Sequence, residues 1–356
     1  MRLSSASLPG LRQPLAAGTE RFLTTRGFLR PREGLRAESA ARIESGVGAK
    51  QRFEDEIVRD EHFLDDLGVF IRNFRLAREV SNGCHRLKIP GHHSFAYWPA
   101  KQRRLFRVSP SGDLYEPVTT AILSFLQSRF PIQTMYDIGA GTGYFSLVAG
   151  SFEGRTPTIH AFEMNLRRHE AFQQILLGEA YAADNIHAHL AGMSDHHEGE
   201  RTVWRSLYRM YEERPPESDY REAWWRRLKF ALRGVRNRDA LIETTVNLTS
   251  IDAFAAAHGA PDLIKLDVDG YEAKVIPGGL DTFRRQRPFL LFELHTDKRL
   301  KRFGSSREKL ISTLFECGYR CVTFSNHHDC SKASVEHVAP QSAAVRRQRT
   351  DLFLLY

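Results

Sequence analysis

The chain has 356 residues, 42% of them hydrophobic and 26% charged, with Gly 25, Pro 15 and Cys 4. That balance excludes a collagen-like, low-complexity or disulfide-stapled protein, and the length suits one large domain or two small ones. Lys and Arg outnumber Asp and Glu by 51 to 43, a net charge of +8, which implies anionic partners (nucleotide, nucleic acid, lipid headgroup or acidic glycan) but says nothing about fold.

The first 50 residues are rich in Arg, Ser, Ala and Gly without sustained periodicity, and read as a disordered basic extension. They hold no apolar stretch of the kind a secretory signal needs, and nowhere does an apolar run approach the roughly 20 residues of a membrane span. Residues 51–111 read as an accessory lobe. Phe53, Ile57, Leu64, Leu67, Ile71 and Phe74 recur at helical spacing, then Ser81-Asn82-Gly83 breaks the helix and short strands follow, with a turn at Pro90-Gly91. Cys84, Cys317, Cys321 and Cys330 read as free thiols of a reducing, cytoplasmic setting. Cys317, Cys321 and Cys330 with His327 and His328 are too irregularly spaced for a zinc site.

The regime changes near residue 112. Glu116-Pro117 opens a helix, with Pro suited to its first turn. Strands follow at 135–138, 159–162, 186–190, 263–267, 289–293, 320–324 and 352–355, with helical stretches at 144–149 and 167–177. Strands alternating with helices predict an α/β fold, a doubly wound and mostly parallel sheet.

The first strand ends in Asp137-x-Gly139-Ala140-Gly141-x-Gly143-Tyr144. A glycine-rich turn between strand and helix lets backbone approach a ligand where side chains would collide, and the helix N-terminus offers free N–H groups. The third glycine falls one position early for GxGxxG, and no Lys-Ser/Thr pair follows, which excludes a Walker A loop. Glu163 ends the next strand, 20 residues past Gly143. A carboxylate there can accept both hydroxyls of a ribose, each charge-assisted bond contributing roughly 1.5–3 kcal/mol. Together these features resemble the nucleoside-binding fold of S-adenosylmethionine-dependent methyltransferases, in which the glycine turn holds the methionine end of the donor and the acid its ribose.

A second signature narrows the resemblance. Asp262-Leu-Ile-Lys265-Leu-Asp267-Val-Asp269-Gly-Tyr-Glu272 is similar to the K-(I/L)-D-V-E-G-x-E motif of the FkbM-type methyltransferases. The stretches Ala191-Gly-Met-Ser194-Asp195, Thr249-Ser-Ile-Asp252 and Pro288-Phe-Leu-Leu-Phe-Glu293-Leu-His295 resemble further elements of that family in the expected order. Two departures stand out: Gly141 replaces the family's usual Asn, and Asp269 its commoner Glu. The resemblance implies a seven-strand-type, Rossmann-like methyltransferase sheet over 112–356, preceded by a helix-plus-hairpin lobe. It implies S-adenosyl-L-methionine as cofactor, held by Glu116, Asp137, Gly139, Ala140, Gly141, Gly143, Tyr144, Glu163, Met164, Ser194, Asp195 and Asp267.

Asp267, Glu293 and His295 fall at the carboxyl ends of strands, where open α/β sheets bind ligands. A hydroxyl acceptor must lose a proton, so His295 or Asp267 is the expected general base and Glu293 its orienting partner. The same three side chains suit a divalent metal, although no metal is assigned to them. Asp269 and Glu272, spaced as Asp-x-x-Glu at a helix start, also fit a capping box.

An insert at about 203–239 separates the third-strand segment from Thr249. Its second half, opening on Trp224-Trp225 and closing on Arg238, carries six basic residues and no acid, with Trp224, Trp225, Leu228, Ala231, Leu232 and Val235 on one helical arc. It reads as a helix over the site's mouth with a solvated basic face, or as a peripheral contact with anionic membrane. Nucleic acid is the weaker partner, since no RNA-binding module is visible. The expected reaction is O-methylation of a hydroxyl on a glycan, glycolipid or secondary metabolite. The alternatives are an N- or RNA methyltransferase, or a decayed nucleoside-binding or membrane-associated scaffold.

Overall fold

A computed structural model describes residues 62–75, 77–81, 84–99, 116–179, 184–196, 199–205, 210–211, 213–217 and 241–356. The basic extension at 1–50, the helical positions Phe53 and Ile57, and the aromatic basic segment at 224–238 lie outside the described residues.

Helix α1 (Phe63–Asn73) buries Phe63, Leu67 and Ile71 at helical spacing. Phe63 meets the rings of Phe125, Phe130 and Tyr356 at 5.4–5.8 Å between centroids. Strands β1 (Ala77–Ser81), β2 (Cys84–Lys88) and β3 (Phe95–Pro99) then pair antiparallel as a three-stranded sheet. Leu87, Ile89 and Phe95 join α1 in one core with helix α2 (Pro117–Arg129), so this lobe is packed into the larger domain's interior.

The central sheet has eight strands: β4 (Thr134–Ile138), β5 (Thr158–Phe162), β6 (Ile186–His189), β11 (Leu263–Leu266), β12 (Phe289–Leu294), β13 (Cys321–Ser325), β14 (Ser334–His337) and β15 (Asp351–Leu355). Their order is β14-β13-β15-β12-β11-β4-β5-β6. Strands β6, β5, β4, β11 and β12 are parallel, whereas β15 runs antiparallel between β12 and β13. This is the expected seven-strand arrangement, with β14 added at an edge. Alternate strand residues feed two cores. Met135, Leu263, Phe289 and Leu291 pack on the side of α2 and α3 (Tyr144–Gly150), while Tyr136, Ile138, Ile264, Leu290 and Phe292 pack on the other. The chain leaves β4 towards β5 and β6, then returns to β11 on β4's other flank. That reversal opens a crevice beyond the carboxyl ends of β4 and β11.

A second sheet was not evident in the sequence. Strands β7 (Ala191–Met193), β8 (Gly199–Arg205), β9 (Met210–Tyr211) and β10 (Ile242–Thr249) form it in the order β7-β10-β8-β9. The insert read from Val203 therefore begins as strand, and β8 pairs antiparallel with β10 from Gly199↔Leu248 to Arg205↔Ile242. Among the described residues, Val203, Val246 and Leu248, with Met164, make its core, too few apolar positions to stand out as a pattern. The Cys and His residues of the zinc alternative form no ligand group among the described residues, and Cys317, Cys321 and Cys330 are buried. No helix among the described residues is long and apolar enough to cross a membrane.

One face of β5 and β6 carries a stack of imidazoles. His160 lies over His187 and His189, with ring centroids 5.2 and 5.4 Å apart, and its Nδ1 is 3.1 Å from His189 Nε2. Tyr136 and, from helix α5 (Ile251–His258), Phe254 and His258 close over it. Burial, with the neighbouring imidazoles, pushes His160 and His189 down to about 4. Both are therefore neutral in the fold but titrate near 6.5 once unfolded. Stability held above that value is lost as pH falls towards 4, because the unfolded chain then binds more protons. Urea unfolding between pH 7.5 and 4.5 should show this decline, and it should be shallower in His160→Phe than in the parent.

Candidate active site

The alternation that builds the two cores also builds the site. On the side of α2 and α3, the apolar series in β4, β11 and β12 ends in polar residues: Asp137 after Met135, Lys265 after Leu263, Glu293 after Leu291. Parallel register sets Lys265 beside Asp137. Lys265 Nζ lies 3.9 Å from Asp137 Oδ1 and 3.6 Å from Asp267 Oδ2, and 4.8 Å above the Phe145 ring. Burial alone would lower the lysine, but Asp267, Asp137, Glu116 and Glu293 outweigh it and hold the ammonium charged. Ser146 of α3 donates its hydroxyl to Asp137 Oδ2 at 2.6 Å. Burial raises the Asp137 carboxyl against the pull of Lys265 and Ser146. Asp137 is thus a fully buried anchor for Lys265. Lys265 itself, quoted in the motif but given no role, is the residue that sequence reasoning missed. Its signal was a charged residue inside a fully apolar strand.

The glycine turn lies directly against this cluster. Gly139 and Ala140 donate their N–H groups to Phe162 O at the end of β5, and Gly143 N–H bonds Ala140 O. A Cβ on Gly139 would collide with the carbonyl oxygen of Asp267, so only glycine lets β4 leave the sheet this close to β11. At Gly141 (φ 60°) a Cβ would meet nothing within 4 Å. The backbone there faces open space. Glu163 receives Gly141 N–H at 2.9 Å and Asn165 N–H at 2.7 Å, one on each carboxylate oxygen. Burial raises its pKa, opposed by Arg168 and the two N–H groups. Each oxygen keeps a lone pair for a further donor. The open cradle at Gly141 beside a diol-accepting carboxylate fits a nucleoside donor.

Across the crevice, Asp267, Glu293 and His295 each place a ligand atom within 4.8 Å of the others. His295 Nδ1 donates to Glu272 Oε1 at 2.7 Å, while Nε2 faces Asp269 Oδ1 at 3.7 Å and Glu293 Oε2 at 3.8 Å. Burial would lower His295, but the hydrogen bond and charge of Glu272, with Asp267 and Glu293, push it up to about 9. Burial, together with Asp267 and Glu116, pushes Glu293 up to about 9. That upward shift favours the protonated imidazole and weighs against His295 as the base. The capping box is corrected too. Tyr271 is the N-cap of helix α6 (Glu272–Val275), and Glu272 is buried, accepting from Val268 N–H and His295. Asp269 has φ 58° and pairs with Arg299. Arg307, itself buried, donates to the carbonyls of Leu294 and His295 and pairs with Asp351 at 2.8 Å, which fixes the end of β12.

The remaining predicted residues divide. Glu116 is buried at the N-cap of α2 with φ 42°, and its charge reaches Lys265 and Glu293. Tyr144 is buried, with its hydroxyl 3.1 Å from Thr120 Oγ1, so it packs behind the turn. Met164 wedges against Gly192 and the small second core. Ser194 lies 3.3 Å from the Tyr271 hydroxyl, and Asp195 pairs with Lys274 at 3.0 Å and with His196 at 2.8 Å. Burial would raise Asp195, but Lys274 and Ser194 hold it below its ordinary value. It lines a separate cavity of about 330 Å³ with Lys274, Phe303 and Lys309. His327, after β13, places Nε2 3.9 Å from Glu293 Oε1.

Sheet order, crevice and turn are those of the Rossmann-like methyltransferase class. The family model described as methyltransferase FkbM domain matches residues 137–321, just over half of the chain, and the protein belongs to that family of S-adenosylmethionine-dependent methyltransferases. Among solved structures, the FkbM methyltransferase of Methylobacillus flagellatus is similar at 14% identity and a TM-score of 0.36, over 63% of this chain and 44% of that one. This chain thus spans less than half the length of that relative. A SAM-dependent methyltransferase of Agrobacterium tumefaciens is 11% identical (TM-score 0.38, covering 78% and 71%). Fibrillarin of Aeropyrum pernix, solved with natively bound S-adenosyl-L-methionine, is 10% identical (TM-score 0.33, covering 79% and 98%). No curated protein matches the chain.

Removing one member of a buried ion pair costs about 3–5 kcal/mol because its partners stay charged and unpaired. Lys265→Met should lose about that much unfolding free energy in urea. Adding Asp137→Asn to Lys265→Met should recover part of it.

Proposed function

We propose that the protein transfers the methyl group of S-adenosylmethionine to a hydroxyl of a glycan, glycolipid or secondary metabolite. The observation that carries this reading is Asp267, whose carbonyl packs against the glycine turn while its carboxylate belongs to the Glu293–His295 cluster. A proton acceptor beside the donor cradle is what a hydroxyl acceptor requires. When bound, the donor supplies a methyl already activated on a sulfonium. The turn from Gly139 to Gly143 and Glu163 hold and orient it, and alignment of this kind can contribute up to roughly 7–11 kcal/mol. Asp267, the member of the cluster that packs against the turn, takes the base role. As the new O–C bond forms, the C–S bond breaks with its electron pair returning to sulfur, and the hydroxyl proton passes to Asp267. His295 and Glu293 position the acceptor oxygen.

Three measurements test this. Glu163→Ala should bind S-adenosylmethionine at least about 10-fold more weakly by calorimetry, since one lost charge-assisted bond is worth roughly 1.5–3 kcal/mol; parental affinity would exclude the ribose contact. Tritiated-methyl labelling of a cell extract, separated into lipid, glycan, RNA and small-molecule pools, should mark a hydroxyl-bearing glycan, lipid or small molecule. Label confined to RNA would overturn the acceptor class. With that acceptor, Asp267→Asn should slow single-turnover methyl transfer by about 10²-fold or more, and an unchanged chemical rate would remove Asp267 as base.

A further inference from the structure

Asp267, Glu293 and His295 converge from the ends of two adjacent parallel strands, β11 and β12, so rigid elements aim them at one point. The imidazole is set as metal-bound imidazoles are set. Its Nδ1 is fixed at 2.7 Å by the buried Glu272 carboxylate, which leaves Nε2 directed into the cluster. Nε2 has no hydrogen-bond partner among the described residues; its neighbours are carboxylate oxygens at 3.7 and 3.8 Å. His295 is itself only 4% exposed, so a polar atom with no hydrogen bond faces a shared point from a buried side chain.

The nearby cations are already committed. Lys265 serves Asp137 and Asp267, and Arg299 serves Asp269. Among the described residues no Lys or Arg lies within salt-bridge distance of Glu293 or Glu272, whose ion-pair neighbours are the imidazoles of His295 and, for Glu293, also His327.

We propose that Asp267, Glu293 and His295 bind a divalent first-row cation that takes the acceptor hydroxyl as a further ligand. The proposal rests on the methyl-transfer reading above; the cation takes the place of the protons on His295 and Glu293, and it positions the acceptor. Two carboxylates and one imidazole, without thiolate, suit Mn²⁺ or Fe²⁺ better than the all-oxygen sets of Ca²⁺ and Mg²⁺. Three protein ligands leave coordination positions for water and for the acceptor oxygen. Lewis-acid polarisation lowers that hydroxyl's pKa, and its proton passes to the Asp267 oxygen not lent to the cation. Glu272 acts through His295 and is a positioning residue.

The test uses the full-length protein, stripped with chelator and titrated with Mn²⁺ alone, following loss of the aqueous Mn²⁺ signal by electron paramagnetic resonance. One ion per chain is expected, with affinity reduced at least 30-fold in Glu293→Gln and in His295→Gln and unchanged in Asp281→Asn, an exposed acid remote from the cluster. Pulsed measurement on the parent should show nitrogen-14 coupling from one imidazole, a readout that needs no variant to fold. Absence of binding, absence of that coupling, or equal binding by Glu293→Gln and His295→Gln would each overturn the site. Calorimetry of S-adenosylmethionine on the stripped protein separates the two readings. Retained donor binding without Mn²⁺ binding overturns the metal site and leaves methyl transfer standing.

Discussion

The arrangement depends on one buried charge. Lys265 sits inside a strand whose other residues are apolar, and a lone ammonium there would be costly. It is tolerated because parallel register supplies Asp137 on the neighbouring strand and Asp267 follows two residues on. Those same residues flank the glycine turn, so the compensation that lets the strand stay buried also places acids at the crevice. Where Lys265 neutralises Asp137 and Asp267, Glu116 and Glu293 remain close by, and Glu293 is driven up to about 9 by burial and by that acidic company.

A second frame holds the far wall. Arg307 ties the end of β12 to β15 through Asp351, and to the chain after β12 through the Leu294 and His295 carbonyls. Glu272, at the start of the helix that follows β11, then fixes the His295 ring. The imidazole is thus held by backbone on one side and by a carboxylate on the other, and its Nε2 can turn only towards Asp269, Glu293 and the crevice.

Much of this was legible before folding was considered. The strand–turn–helix pattern at 135–149 and the Lys-x-Asp and Glu-x-His spacings located the sheet and its carboxyl ends, because strand periodicity and glycine turns are local properties. Local spacing misled at Asp269 and Glu272, where a capping box was expected. There Glu272 is taken by a histidine 23 residues away, a partner no local window contains. The second sheet escaped notice for a similar reason: β8 and β10 are sparse in apolar residues, and each is recognisable only through pairing across the insert.

The sequence alone determined the class of fold, the glycine turn with its acidic neighbour at Glu163, and the family to which the chain belongs. These follow from residue types at short, fixed spacings. The tertiary structure decided the charge states. It buried Asp137 against Lys265, gave Lys265 its role, and set His295 against Glu272, which raises the imidazole's pKa. Such properties come from burial and from charges brought together across strands, and a linear chain does not express either until it folds.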